Sequence, residues 1–227
     1  MKIIILAAGI GSRLGSALPK SLVSLKINET IMGLQLKNID KFFDVNDVMV
    51  VVGFKKEMIM ETFPNLLYVY NPYFERTNTS KSLLKALRKA RGEDVLWING
   101  DVVFNESLPE QIKPFIRQGN SFVCVNNLEC GEEEVKYKLG TDGSISEISK
   151  TVVNGQGEAV GINFISHRDL PFFIDRLEEC GKNDFFERGL ELMIKNDRRK
   201  VFPVNISSCL CMEVDFEEDL ERVNKII

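Results

Sequence analysis

The sequence predicts an α/β fold: a doubly wound, mostly parallel mixed sheet flanked by helices, with a small β-hairpin insertion. Three observations predict it. Short apolar runs rich in β-branched residues, at 3–6, 48–52, 67–70 and 95–98, have the pattern of strands buried on both faces of a parallel sheet. Between them, at 33–42, 56–62 and 82–91, apolar residues recur at three- and four-residue intervals, as on one face of a helix. This alternation implies right-handed βαβ units, in which ligands bind beyond the carboxyl ends of the strands.

The first strand, at 3–6, runs directly into Leu6-Ala7-Ala8-Gly9-Ile10-Gly11-Ser12-Arg13. Further strands are expected at 122–125 and 162–165. From Asn126 the pattern changes to loops and hairpins: Glu132-Glu133-Glu134, Lys136-Tyr137-Lys138, and Asn154-Gly155-Gln156-Gly157. Asp142-Gly143 is a hairpin turn signal, and 145–148 reads as the returning strand. Helices at 170–180 and 184–195, a strand at 200–205 and a terminal helix near 217–227 complete the chain. We expect one domain over 1–227 with a substrate-facing insertion at about 126–160, and no internal repeat.

A length of 227 residues with 44% hydrophobic content suffices for one substantial core. A formal net charge of −4, with the 29 basic residues scattered along the chain, argues against general affinity for nucleic-acid backbones. The N-terminal apolar run is too short for a signal-peptide core or a membrane span, so the expectation is a cytoplasmic protein without membrane attachment. Five cysteines lack framework spacing and read as reduced thiols. Cys209-x-Cys211 has no second pair of ligands, and the single histidine, His167, is distant in sequence, so no zinc site is expected.

The glycine loop is the first candidate for chemistry. Gly9 and Gly11 lack a Cβ, which allows positive φ and close approach of backbone N–H groups to a phosphate; Arg13 and Lys20, the latter in Pro19-Lys20, add full charges. A dinucleotide fingerprint would need glycine at position 14, which is leucine, and a P-loop would need glycine before Lys20-Ser21, where Pro19 stands. The strand at 95–98 leads into Asn99-Gly100-Asp101, which places a carboxylate at the same sheet edge. Asp101 is a candidate Mg²⁺ ligand, since hard cations take oxygen donors and Mg²⁺ typically uses one or two carboxylates; a turn aspartate is the competing reading. Asp215, in Glu213-Val214-Asp215, is a second candidate ligand, and equally an N-cap for the terminal helix.

These three motifs, in this order, resemble the nucleotidyltransferases of GT-A-like, Rossmann-like fold, which activate phosphorylated small molecules as nucleotide derivatives. Leu6, Ala7, Ala8, Gly9, Gly11, Ser12, Arg13 and Lys20 match the nucleotide-binding signature, Asn99-Gly100-Asp101 the metal-binding strand end, and Glu213-Val214-Asp215 with Glu218-Asp219-Leu220 the late acidic motif. Thr77-Asn78-Thr79-Ser80-Lys81-Ser82-Leu83 is similar to the segment by which choline-phosphate-type cytidylyltransferases contact the base, with Thr79 in place of a second asparagine. The resemblance implies that Asn78 and Ser82 line the base edge. It also marks Lys150 as a contact to the acceptor's phosphate, Glu158 as a contact to its organic portion, and Lys136 as a companion cation. Trp97 lies inside a strand and reads as core, so no choline cage is assigned.

The reaction the resemblance implies is attack of an acceptor phosphate or phosphonate oxygen on the α-phosphorus of CTP, with Mg²⁺ on Asp101 and Asp215 as cofactor and with Arg13 and Lys20 on the triphosphate. The partners expected are CTP and a small phosphorylated acceptor, with an edge strand or terminal helix available for a homodimer. Two other readings stay open: a UTP- or dTTP-dependent sugar 1-phosphate nucleotidyltransferase, and a noncatalytic nucleotide-binding regulatory domain. A kinship of this kind carries the reaction and not the acceptor.

Overall fold

The computed structural model describes residues 1–15, 17–128 and 134–227; the Ser12 side chain is also outside the description. The part of the expected insertion at 129–133, with Glu132 and Glu133, therefore lies outside the described residues, as does the Ser12 side chain assigned to the nucleotide.

The parallel half of the sheet contains β1 (Lys2–Ala7), β2 (Val48–Val52), β3 (Leu67–Tyr70) and β4 (Val95–Asn99). β1 pairs in parallel with both β2 and β4, and β2 pairs in parallel with β3. Beyond β4, the long strand β9 (Glu158–Ile165) runs antiparallel to it; β6 (Phe122–Asn126) is antiparallel to β9, and β10 (Phe202–Asn205) is parallel to β6. The order is β10-β6-β9-β4-β1-β2-β3, with a hairpin of β7 (Lys136–Leu139) and β8 (Ile145–Ser149) attached to β9 through β7. The expected mostly parallel mixed sheet is thus observed, with β9 as the reversed strand of the main order.

Alternation along the strands feeds two cores. Ile4, Leu6, Val51 and Trp97 face α3 (Thr79–Leu87), α5 (Leu170–Glu179) and α6 (Phe186–Asp197). Ile3, Ile5, Val50 and Ile98 face α1 (Ile31–Asp40), α2 (Lys56–Thr62) and α4 (Ser107–Gln118). Two helix layers on one sheet make every central strand apolar on both sides, which is why these runs do not alternate with polar residues. Trp97 is fully buried, stacked on Phe173 at 5.4 Å and edge-on to Phe186 at 5.5 Å, and belongs to the core.

Several elements differ from expectation. α3 begins at Thr79 and α1 at Ile31, earlier than the apolar periodicity suggests, because polar residues start them: Asn78 accepts from the Thr79 N–H, and the Thr30 hydroxyl accepts from the Gly33 N–H. α4 is a helix the sequence does not advertise, since Pro109 and Pro114 both lie in it. Pro109 falls in the first turn, where no N–H donor is required, and Pro114 is accommodated on a helix that buries mainly Leu108, Pro109 and Ile112. A separate two-stranded ribbon pairs β5 (Val102–Phe104) with β11 (Cys211–Glu213), and α7 (Glu217–Ile226) follows it. Among the described residues, Cys124, Cys180, Cys209 and Cys211 are free thiols, and no helix is long and apolar enough to cross a membrane.

Candidate active site

β1, β4 and the β5–β11 ribbon meet at one end of the sheet, where a cavity of about 340 Å³ opens. Its near wall is the glycine loop. Gly11 has φ +66°, and a Cβ there would come within 2.6 Å of the Lys20 Cγ, so the absence of a side chain lets the lysine stem pass directly beneath the loop. Gly9 differs from the expectation of positive φ: among the described residues Gly11 and Gly15 carry that conformation in this loop, and Gly9 instead borders open space in the cavity wall.

The floor is built by close backbone approach. The Gly100 N–H donates to the Leu6 carbonyl at 2.9 Å, and a Cβ on Gly100 would lie 2.7 Å from that oxygen. Only glycine lets the chain leaving β4 turn this tightly against β1. Gln35, buried in α1, donates to the carbonyls of Asn99 (2.9 Å) and Val102 (2.7 Å) and so holds both sides of the turn that carries Asp101. The Val214 N–H donates to the Asp101 carbonyl at 2.9 Å, continuing the ribbon in which Val102 pairs with Glu213. That pairing brings Asp101 beside Asp215.

Between the two carboxylates lies Lys20, whose ammonium donates to Asp101 at 3.3 Å and, more closely, to Asp215; the Arg13 guanidinium pairs with Asp215 at 3.4 Å from a more exposed position. Burial raises the Asp101 carboxyl above its usual range, Lys20 opposes the shift and Asp215 adds to it. Burial alone would lower Lys20, but Asp101 and Asp215 overcome it and hold the ammonium protonated. Glu213 is pushed well above the carboxylate range, first by burial and then by Asp101, and accepts from the Asn99 amide at 3.2 Å. Asp215 does not supply the helix cap considered for it: the Asp219 carboxylate accepts from the backbone N–H groups of Asp215 and Phe216, leaving the Asp215 side chain to the cavity.

The far wall comes from the hairpin and α6. Lys150, just after β8, lines it with its ammonium 5.2 Å from the Phe185 ring centre, and Glu187 in the first turn of α6 lies beside them. Sequence reasoning missed Glu187, because an acid after two phenylalanines at a helix start reads as dipole compensation. Its Oε2 is buried without a hydrogen-bond partner among the described residues, and burial pushes the carboxyl up to about 7 against the opposing pull of its own backbone N–H and of Lys150. Thr79 also lines the cavity, where its hydroxyl oxygen accepts the Phe186 N–H at 3.1 Å and ties the start of α3 to the start of α6.

The structure gathers Leu6, Ala7, Gly9, Gly11, Arg13, Lys20, Asp101, Asp215 and Lys150 around this one cavity. Ala8 sits behind the wall, its carbonyl accepting from the Phe54 N–H. Asn78 and Ser82 are not among its walls: Asn78 caps α3 and donates to the Asn183 carbonyl at 3.3 Å, and the buried Ser82 hydroxyl accepts from Asn71 at 3.0 Å. Lys136 and Glu158 are register partners on neighbouring strands, and it is their neighbours Val135 and Ala159 that reach the cavity, as strand alternation requires. Glu158 also accepts from the Asn126 amide at 3.5 Å.

An all-oxygen pair of carboxylates converging on one cation is a donor set suited to Mg²⁺, which completes its shell with water and phosphate oxygens. Among the described residues no group of three or more histidine, cysteine, aspartate or glutamate side chains is placed to hold a metal, so such an ion would depend on these two carboxylates and on substrate oxygens.

Comparison with known proteins agrees with the geometry. The model of the MobA-like NTP transferase domain matches residues 3–181. The bifunctional protein GlmU of Wolinella succinogenes is 26% identical over 239 residues, covering 100% of this chain and 54% of its own length, so the chain spans about half of that relative. Among solved structures, the CTP:phosphocholine cytidylyltransferase LicC of Streptococcus pneumoniae superimposes with a TM-score of 0.78 at 18% identity, covering 99% of this chain and 98% of its own. A putative glucose-1-phosphate thymidylyltransferase from Bacillus anthracis gives 0.76 at 18% identity, covering 100% and 94%. At such identities the solved structures speak for the fold, which is that of the nucleotidyltransferases, cytidylyltransferases among them. With the family model matching most of its length, this chain belongs to the MobA-like NTP transferase domain family.

Proposed function

We propose that the protein transfers CMP from CTP to a small phosphorylated or phosphonate acceptor, releasing pyrophosphate. The observation that carries this reading is the placement of Lys20 between Asp101 and Asp215 on the floor of a cavity with the glycine loop on one side and Lys150 on the other. In the reaction, an acceptor oxygen forms a bond to the α-phosphorus while the bond from that phosphorus to the bridging oxygen breaks, and pyrophosphate leaves with the electron pair. An ionised acceptor phosphate is already nucleophilic, so no covalent enzyme nucleophile is needed and the task is to align two anions and offset their charge.

Each residue takes part through charge or position. The glycine loop presents backbone N–H groups to the triphosphate, and Arg13 and Lys20 offset the charge that develops on the departing pyrophosphate. Lys150 holds the incoming phosphate on the opposite wall. Asp101 and Asp215 would hold Mg²⁺, which when bound supplies Lewis-acid stabilisation of phosphoryl oxygens. Asn78 and Ser82 are proposed to contact the base, and Lys136 and Glu158 to contribute to the acceptor end from the hairpin base.

A UTP- or dTTP-dependent transfer to a sugar 1-phosphate is the second reading, favoured by the fold shared with a putative glucose-1-phosphate thymidylyltransferase. Pyrophosphate release with CTP, UTP, dTTP, ATP and GTP, each against a panel of phosphorylated alcohols, amides, phosphonates and sugar 1-phosphates, separates the two. Turnover with CTP and a non-sugar acceptor is the expected result, whereas selective use of UTP or dTTP with a sugar 1-phosphate would replace it by the second reading.

A further inference from the structure

A second cavity, of about 310 Å³, opens at the end of the sheet opposite the carboxylates, beside the first residues of β6 and β10. Arg168, Arg198, Arg199 and Lys200 line it with a single carboxylate, Asp169, which makes it strongly cationic on a chain whose net charge is −4. The basic residues that look scattered in the sequence are here collected from two separate loops.

Two features distinguish this cluster from a solvated face. Asp169 is buried next to the N-terminus of α5, yet its side chain makes no cap hydrogen bond to that helix. Its two oxygens are used otherwise: one takes the Arg199 guanidinium at 2.6 and 2.5 Å, and the other accepts from the hydroxyls of Ser121 at 2.5 Å and Ser166 at 3.2 Å, both buried. A buried network of this kind fixes the guanidinium in place before any ligand arrives. The second feature is Arg198, which closes α6 with φ +53°, a left-handed conformation that glycine adopts freely and arginine only at a cost. The strained conformation sets the Arg198 side chain among the residues that line the cavity. The Arg168 and Arg198 side chains are exposed and have no ion pair or hydrogen bond among the described residues, whereas Lys200 is paired with Asp142 at 2.8 Å.

We propose that this cavity is a second anion site, separate from the transfer site, that binds a small phosphoryl dianion between the fixed Arg199 and the unpaired Arg168 and Arg198. Guanidinium groups match phosphoryl oxygens in a two-pronged geometry, and the cavity has the size of a small-molecule site. The overall negative charge disfavours an extended polyanion such as nucleic acid. α6 runs from Glu187 at the transfer cavity to Arg198 at this one, so a single helix spans the two sites.

The test is an amide NMR titration of the full chain with inorganic phosphate and, separately, with glycerol 3-phosphate. Saturable shifts at residues 119–121 and 198–200 are expected in wild type, retained in Lys20→Ala and weakened about tenfold or more in the Arg168→Ser/Arg198→Gly double variant. Tighter binding of the ester assigns the site to a phosphorylated metabolite, and equal binding assigns it to phosphate itself. Because glycine suits position 198, Arg198→Gly alone should melt no lower than wild type, which separates lost binding from lost folding. Absence of saturable shifts at these amides, or shifts unchanged in the double variant, would overturn the proposal.

Discussion

Glu187 shows what a single half-buried carboxyl does to this molecule. Its carboxyl, raised by burial to about 7 from an ordinary 4.5, keeps its proton in the folded state over a range where the unfolded chain has lost it. The folded state therefore binds more protons between those values, and stability falls as pH rises from about 4.5 to about 7, by at most ~1.4 kcal/mol per pH unit. Melting temperatures of Glu187→Gln across that range should decline less steeply than those of wild type, and parallel curves would show that Glu187 titrates normally. Asp101 and Asp215 were legible as candidates in the sequence because each follows a strand end, and Lys20 because it stands in Pro19-Lys20 shortly after the glycine loop. Glu187 was not, because its place beside Lys150 and Phe185 in the cavity wall is assembled only by the tertiary fold.

At the scale of elements, the site depends on where backbone segments can touch. Gly161 lies in β9 with φ +69°, and a Cβ there would come within 2.6 Å of the Asn99 amide nitrogen and 2.7 Å of the Glu213 carboxylate. Gly161→Ala should destabilise the fold by roughly 1–3 kcal/mol and push apart the two strands that carry the metal-ligand candidates, measurable as a shift in the urea midpoint. Gln35→Leu removes two hydrogen bonds from carbonyls flanking Asp101 and should cost about 1–3 kcal/mol in the same measurement, with a fall in activity in excess of that expected from unfolding. The central strands could be read from their unbroken apolar runs. The β5–β11 ribbon could not, because three-residue strands carry too little pattern, and α4 was hidden by Pro114. The pairing of that ribbon is what makes two distant acids neighbours, so the sequence named both candidate ligands without showing how they meet.

Across the whole molecule, the doubly wound sheet fixes the wall proposed for the donor, and the hairpin with α6 supplies the wall proposed for the acceptor. The donor wall is made of glycines and charges at strand ends, which local sequence specifies. The proposed acceptor wall is made of side chains drawn from the turn after β8, from α6 and from α3, whose convergence is a product of packing: β8 packs against α6, and Thr79 bonds to the first residue of α6. That division explains why the reaction class was readable and the acceptor was not. It also predicts separable defects. Lys150→Ala should raise the KM for the acceptor more than that for the triphosphate, and steady-state kinetics with each substrate varied in turn checks it; an equal rise in both would place Lys150 outside the acceptor wall. On the side proposed for the donor, one ammonium and two carboxylates share the cavity floor. The most direct test is pyrophosphate release by wild type, Lys20→Ala and Asp101→Ala in the presence of Mg²⁺, CTP and the best acceptor, with circular dichroism confirming that each variant is folded. A loss of about 10²–10³ in rate in each folded variant is the expected result, and turnover near the wild-type rate in either would contradict it.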